Sequence, residues 1–299
     1  MTTANLENCD INRLGTGLGD CLAKLKYPIG FFLVKKTWST TNDTVIDKAY
    51  ILDNIQNGNF IPFVESFDYE QNTPETTFQE GANGKKRQVR NGLPEFTFRF
   101  LKTIQFQKIA YSYNSYDQYD VILLFNNNKL FLADDGTNYS GFNASYVNTN
   151  TAMFNDGSND TMTPMAFQLT DNLQFNYGSV VGVGYSITST NGVIDTLITD
   201  GSAVPGGDIT VKVVFKANPA ENVLGLGVDQ FRVVLNGVAE VPSAVSYNDV
   251  NGTYAITPTS TTVGADDVVA ELYDDANSVS VAKLGDLLFD GISDMIVVA

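Results

Sequence analysis

The sharpest alternation in the chain is "PEFTFRF", where Phe96, Phe98 and Phe100 fall on one face and Glu95, Thr97 and Arg99 on the other. A period of two with aromatics on one side predicts a half-buried strand. Directly after it the period lengthens. Phe106, Ile109, Ala110 and Tyr113 stand at i, i+3, i+4 and i+7, which predicts one amphipathic helix turning that stripe inward. Phe96, Phe98, Phe100, Phe106, Ile109 and Tyr113 are therefore the expected core of this region. Upstream, "IGFFLVKKTW" reads as a strand ending at the single Trp38, a packing residue rather than a ligand platform. "FIPFVESFDY" reads as a second strand, Val64, Ser66 and Asp68 alternating against Phe63, Glu65 and Phe67. "DVILLFNNNKLFLADDG" predicts a β-hairpin turning at Asn126–Asn128, because asparagine is the residue that best tolerates positive φ after glycine. Residues 134–162, rich in Asn, Asp, Gly, Ser and Thr, read as surface loop, and "PMAFQLTDNLQF" as a closing strand.

From about Ser179 the pattern changes. Helical periodicity disappears, and short strand candidates recur: "GVIDTLIT", "DITVKVVFK", "QFRVVLNG", "SAVSYND", "GTYAITPT", "DVVAELYD", "SVSVAKLG" and "DMIVVA". Strands at roughly 8–12-residue spacing, punctuated by turn residues, predict a β-sandwich. The expected organisation is a mainly β protein in two parts. Residues 1–178 form an α+β domain, a β-sandwich or split barrel of about five or six strands with one flanking helix. Residues 179–299 form an all-β, immunoglobulin-like sandwich without the Cys–Trp–Cys pattern of antibody domains.

Between two of the strand candidates lies "DYEQNTPETTFQEGANGKKRQVRNGLPEFTFR", whose residues 69–94 read as a long polar loop. A loop of that length inside a compact domain is uncommon and is usually functional or disordered. One reading is an extended arm that docks on another subunit, with Lys85, Lys86, Arg87 and Arg90 pairing with acidic residues there. The other is a solvated hairpin, and composition leaves both open.

Charge and residue usage narrow the chemistry. The chain has 299 residues, 43% of them hydrophobic, so it can bury a substantial core. It contains no histidine, which removes the commonest general base, nucleophile partner and metal ligand. Cys9 and Cys21 cannot complete a zinc site without such partners, and read as reduced thiols or a small N-terminal disulfide. Net charge is −16, divided as −5 up to residue 178 and −11 beyond it. Neither part suits tight binding to a nucleic-acid backbone, which needs clustered Lys and Arg. No apolar run is long enough to span a membrane, and "MTTANLENCDINRLG" has no secretory pattern, so folding in a cytosol is expected. The pairs Asp266-Asp267 and Asp274-Asp275, and "NDGSND" at 155–160, lack calcium-loop spacing and read as solvated loop carboxylates. "GVGYS" and "GLG" lack the third glycine of a nucleotide fingerprint, and no GxSxG, P-loop or HExxH occurs. No catalytic, metal or cofactor residue is assigned, and a non-enzyme is expected.

The order of these elements carries a resemblance. "NTPE", a Gly-Lys-rich loop, "RNGLPEFTFRF", a helix and then "YDVILLFNNN" resemble the tail tube proteins of long-tailed phages, particularly those infecting Bacteroidetes. "NCDINRLGTGLGDC" and "AFQLTDNLQF" fit the same pattern, so the resemblance covers about residues 1–178. It implies a structural virion subunit that forms rings of six, stacked into a hollow tube through which DNA is ejected. It also implies that residues 69–94 are the arm reaching the neighbouring ring, including Asn72, Thr73, Pro74, Glu75, Thr76, Lys85, Lys86, Arg87 and Arg90. The implied partners are further copies of the chain, tail initiator or baseplate and terminator proteins, and DNA passing without specific binding. The C-terminal module resembles outward-facing decoration domains, which implies weak binding to cell-surface glycans or stabilisation of the particle. The implied location is the virion tail, assembled in the host cytoplasm, with no membrane and no cofactor. The alternatives are another virion component (tail terminator, baseplate or capsid decoration protein), a carbohydrate-binding adhesin, and a carboxylate-based hydrolase.

Overall fold

The structure is a computed structural model that describes residues 25–298 apart from Thr76, Gly81, Asn91, Thr103, 155–160, Ala217 and Asp286. Cys9, Cys21 and the N-terminal part of the resemblance lie outside the described residues, as does "NDGSND". The protein is mainly β and divides into two compact units, one ending at Thr190 and one beginning at Asn191. That boundary falls beyond the expected 178/179. The sequence shows a composition shift there, but residues 178–182 form a strand that belongs to the first unit.

The first unit contains β1 (Pro28–Lys35), β2 (Thr40–Thr41), α1 (Lys48–Gln56), β3 (Phe60–Phe63), β4 (Asp68–Asn72), β5 (Thr77–Glu80), β6 (Lys86–Arg90) and β7 (Glu95–Phe100). There follow α2 (Ile104–Ser112), β8 (Ser115–Tyr116), β9 (Tyr119–Phe125), β10 (Lys129–Asp134), β11 (Asn138–Ser140), β12 (Phe142–Thr149), β13 (Thr163–Leu169) and β14 (Gly178–Gly182). β1 is buried along nearly its whole length, as its unbroken apolar run requires, and it lies between β3 and β9. β12 joins two halves of the main sheet. Its first residues pair with β9 and the rest, from Ala144 on, with β13, with a register shift between Ala144 and Tyr146. A bulge of this kind bends a strand, and here it folds one sheet over a shared core. Phe31, Phe63, Phe98, Phe142 and Phe167 meet in that core; Phe31 lies 5.2 Å from Phe98 and 5.1 Å from Phe167, ring centre to ring centre.

Three expectations are corrected here. The described residues hold two α-helices in place of the one expected. α1 is a short helix capped by Asp47, whose carboxylate accepts from the Tyr50 backbone N–H, and Ile51, Leu52 and Ile55 are buried. Within residues 134–162, most of 138–149 is strand, since β11 pairs with β10 and β2, and β12 is a central strand. Polar composition misled there because alternate residues such as Phe142, Ala144 and Val147 still face inward. "FIPFVESFDY" is broken in two at Glu65, which adopts φ 61°. The turn at Asn126–Asn128 forms as expected, with Asn128 at φ 57°, and Trp38 packs edge-on against Phe60 at 4.7 Å.

The second unit contains β15 (Val193–Ala203), β16 (Ile209–Phe215), β17 (Asn218–Asn222), β18 (Phe231–Leu235), β19 (Val238–Glu240), β20 (Ala244–Asn248), β21 (Thr253–Thr257), β22 (Asp267–Leu272), β23 (Ala282–Leu284), β24 (Leu287–Asp290) and β25 (Ile296–Val297). One sheet runs β20-β21-β16-β15-β24-β23 and the other β19-β18-β22-β25. Both contribute to one core around Val211, Val213, Phe231, Val233, Tyr254 and Ala270. The orders β15-β16-β21-β20 and β18-β22-β25 reproduce the two sheets of the immunoglobulin sandwich. β24 is an addition, pairing parallel with the first strand.

Candidate functional site

The long polar stretch is not a loop. β4 continues the main sheet as its last strand, antiparallel to β7, with Asp68 opposite Arg99 and Asn72 opposite Glu95. Every residue of β4 is exposed, so its ladder with β7 and surface ion pairs hold it in place of burial. The Arg99 guanidinium donates to Asp68 Oδ2 at 2.8 Å and to Glu70 Oε2 at 2.7 Å. Hydrogen bonding to Glu70, then to Asp68, raises the Arg99 pKa further still against the opposing effect of burial. On the inner face Tyr69 stacks on Phe98 at 6.1 Å.

Beyond Asn72 the chain leaves the sheet and forms a separate two-stranded hairpin, β5 with β6, Thr77 opposite Arg90 and Glu80 opposite Lys86. Its turn is closed by Asn83 Oδ1, which accepts from the Lys85 backbone N–H at 3.1 Å, with Gly84 at φ 74°. β5 is exposed throughout, and Phe78 shows 57% of its surface. The expected arm residues distribute along this element. Asn72 ends β4; Thr73, Pro74 and Glu75 are exposed in the connection; Thr76 lies outside the described residues. Lys85, Lys86 and Arg87 are exposed at the tip, and Arg90 lies at the base of the hairpin.

The core candidates behave differently from one another. Phe96, Phe98 and Phe100 are buried, while Phe106 and Tyr113 are half-buried against Phe63. Ile109 is 54% exposed and is not a core residue. It sits at the rim of the helical stripe, roughly 60° from its centre, and α2 ends at Ser112 with the sheet on its other side. Ile104 and Tyr111 share this exposure. The sequence reading placed Ile109 in the core with the rest of the stripe and did not consider Ile104 or Tyr111, which lie off it.

Among the described residues no group of three or more His, Cys, Asp or Glu could hold a metal ion, and no helix is long and apolar enough to cross a membrane. Asp266 and Asp274 are buried and Asp275 half-buried, contrary to expectation, leaving Asp267 exposed. Asp266 is buried and accepts from Asn236 Nδ2 at 2.8 Å and from the Val263 N–H at 2.6 Å, the Asn236 bond leading in lowering its pKa. Asp274 is buried and accepts from Asn277. Both organise loops. Arg232 pairs with Glu271 on β22 and lies over the Tyr273 ring at 3.3 Å, an internal arrangement that is already satisfied.

No protein-family model matches the chain, and no curated protein matches it. Among solved structures, the Bacteroides ovatus mixed-linkage glucan utilization locus SGBP-B, in complex with a mixed-linkage heptasaccharide, is similar at 12% identity and a TM-score of 0.20, covering 98% of this chain and 71% of that one. A similarity at that level carries no argument about fold or ligand.

Proposed function

We propose that this chain is a structural subunit of a phage tail tube, self-assembling through its first unit, with the second unit as an exterior module. The observation that carries the reading is the arm: a hairpin exposed along β5, held beside an edge strand that is itself exposed at every residue. An isolated two-stranded hairpin is marginal in water, and an open sheet edge invites pairing. A subunit that joins others resolves both. The exposed aromatics point the same way. Tyr27, Phe67, Tyr69, Phe78, Tyr111 and Tyr116 all belong to the first unit, and aromatics are enriched in protein interfaces. The exposed large apolar residues of the second unit are aliphatic, apart from Met295, and offer no flat ring on which a sugar could stack. Rings of subunits that close by rotation and then stack would give a tube of unlimited length.

Negative-stain electron microscopy of the concentrated full-length protein tests this. Hollow tubes or rings are expected. A monomer at every concentration, together with glycan binding by the second unit alone, would overturn the reading in favour of an adhesin.

A further inference from the structure

Strand register gives the first unit two chemically different ends. Asn72, Glu95 and Gln168 mark one end, where the chain departs into the arm. At the other, Phe67 donates its backbone N–H to the Arg99 carbonyl, Leu101 follows β7, and Met153 bridges to Met162 beyond the β12–β13 pair. α2 also begins there. Phe67, Leu101, Ile104, Met153 and Phe154 are exposed by between 39% and 67%. Single exposed apolar residues are ordinary, but five brought to one end of a sheet are the kind of grouping that marks an interaction site.

We propose that this patch is the seat for the arm of a second copy of the chain, so that copies join head to tail. The proposal rests on the assembly reading above and names the surface that receives the arm. Three observations select the arm as occupant. The hairpin has no core of its own and presents Phe78 outward. Its tip is cationic, with Lys85, Lys86 and Arg87, whereas beside the seat Glu65, Asp68 and Glu70 share only two cations, Lys102 and Arg99, leaving one net negative charge. The arm departs from the end of the sheet opposite the seat, so the contact joins different surfaces on two copies and is of the head-to-tail kind that can repeat.

Site-directed crosslinking of full-length chains tests the pairing. In a Cys9→Ser, Cys21→Ser background, chains carrying Phe78→Cys are mixed with chains carrying Leu101→Cys and treated with an added thiol oxidant. The control partner carries Leu173→Cys, exposed just beyond the arm end of β13. Because Phe78 is itself part of the proposed contact, Gln79→Cys is run in parallel. Circular dichroism confirms that each chain is folded. The expected result is at least tenfold more crosslinked dimer with Leu101→Cys than with Leu173→Cys. Equal or greater crosslinking to Leu173→Cys, with rings or tubes still forming, would overturn the seat and leave the assembly reading intact. A folded monomer with no crosslinked dimer from either arm position would overturn both.

Discussion

A Cβ built on Gly92 would fall 1.5 Å from the Pro74 carbonyl oxygen. The two chain segments at the base of the arm therefore cross in contact, and only a residue without a side chain allows it. Gly92→Ala should force the crossing apart and re-aim the hairpin. Since the arm is exposed and β4 stays tied through Arg99, the melting transition should move by no more than about 1 kcal/mol equivalent. Sedimentation should nevertheless show self-association reduced or lost. An unchanged sedimentation profile would show that the arm's direction is irrelevant to assembly.

The aromatic core and the helix rim should respond very differently to truncation. Phe98 is fully buried among Phe31, Phe167 and Tyr69, so Phe98→Ala should cost about 3–5 kcal/mol in chemical denaturation. Ile109→Ala on the exposed rim should stay within about 0.5 kcal/mol. A large effect at Ile109 would mean that the rim is covered in the isolated protein.

Asp120 supplies a pH dependence. It sits on β9 between Val34 and Asn143, with its Oδ1 lacking a hydrogen-bond partner. Burial raises its pKa to about 6, against the pull of Lys36 and with a small push from Asp117. The folded state thus holds this proton more tightly than the unfolded chain. The resulting stabilisation is fully present below about pH 4 and is lost as pH rises through about 6. Asp120→Asn should flatten that part of the pH–stability profile and raise stability at pH 8 by on the order of 1 kcal/mol. The comparison is made by urea denaturation from pH 4 to 8, and an Asn variant that is less stable at pH 8 would refute it.

The unit boundary makes a truncation test. A chain ending at Thr190 keeps β14, whose Val180 and Val181 are buried and which pairs with β10 along its length. That chain should fold and keep whatever self-association the full protein has. One ending at residue 178 loses this strand and leaves the edge of β10 uncovered, and should be protease-sensitive or insoluble. Equal behaviour of the two would place the boundary where the composition shift suggested.

Strong local periodicity was legible in the sequence, and long-range pairing was not. "PEFTFRF" announced β7 because its partners cover one face only, leaving the alternation clean. α1 had readable signals in Asp47 as cap, Ile51, Leu52 and Ile55 as stripe, and Gly58 after its end, but its nine residues are short for a periodic pattern to stand out. β11 and β12 were lost because Asn and Ser on their outer face dominate the composition. The arm was recognised as unusual from its charges, while its hairpin needed the cross-strand register of Thr77 through Glu80. The receiving patch could not have been found in sequence. Its members come from the connection before β4, the end of β7, the start of α2 and the segment after β12, and only the sheet brings them to one end.

The parallel contact of β15 with β24, Val193 beside Leu288 through Asp195 beside Asp290, sets how the second unit bears load. Tension applied between its two chain termini does not unzip these hydrogen bonds one at a time. It pulls the strands past each other, so the bonds must yield together, and the two-residue strand β25 peels away first. Resistance to forced opening depends on the barrier to unfolding and not on equilibrium stability. A module fastened in this way would hold its shape under shear.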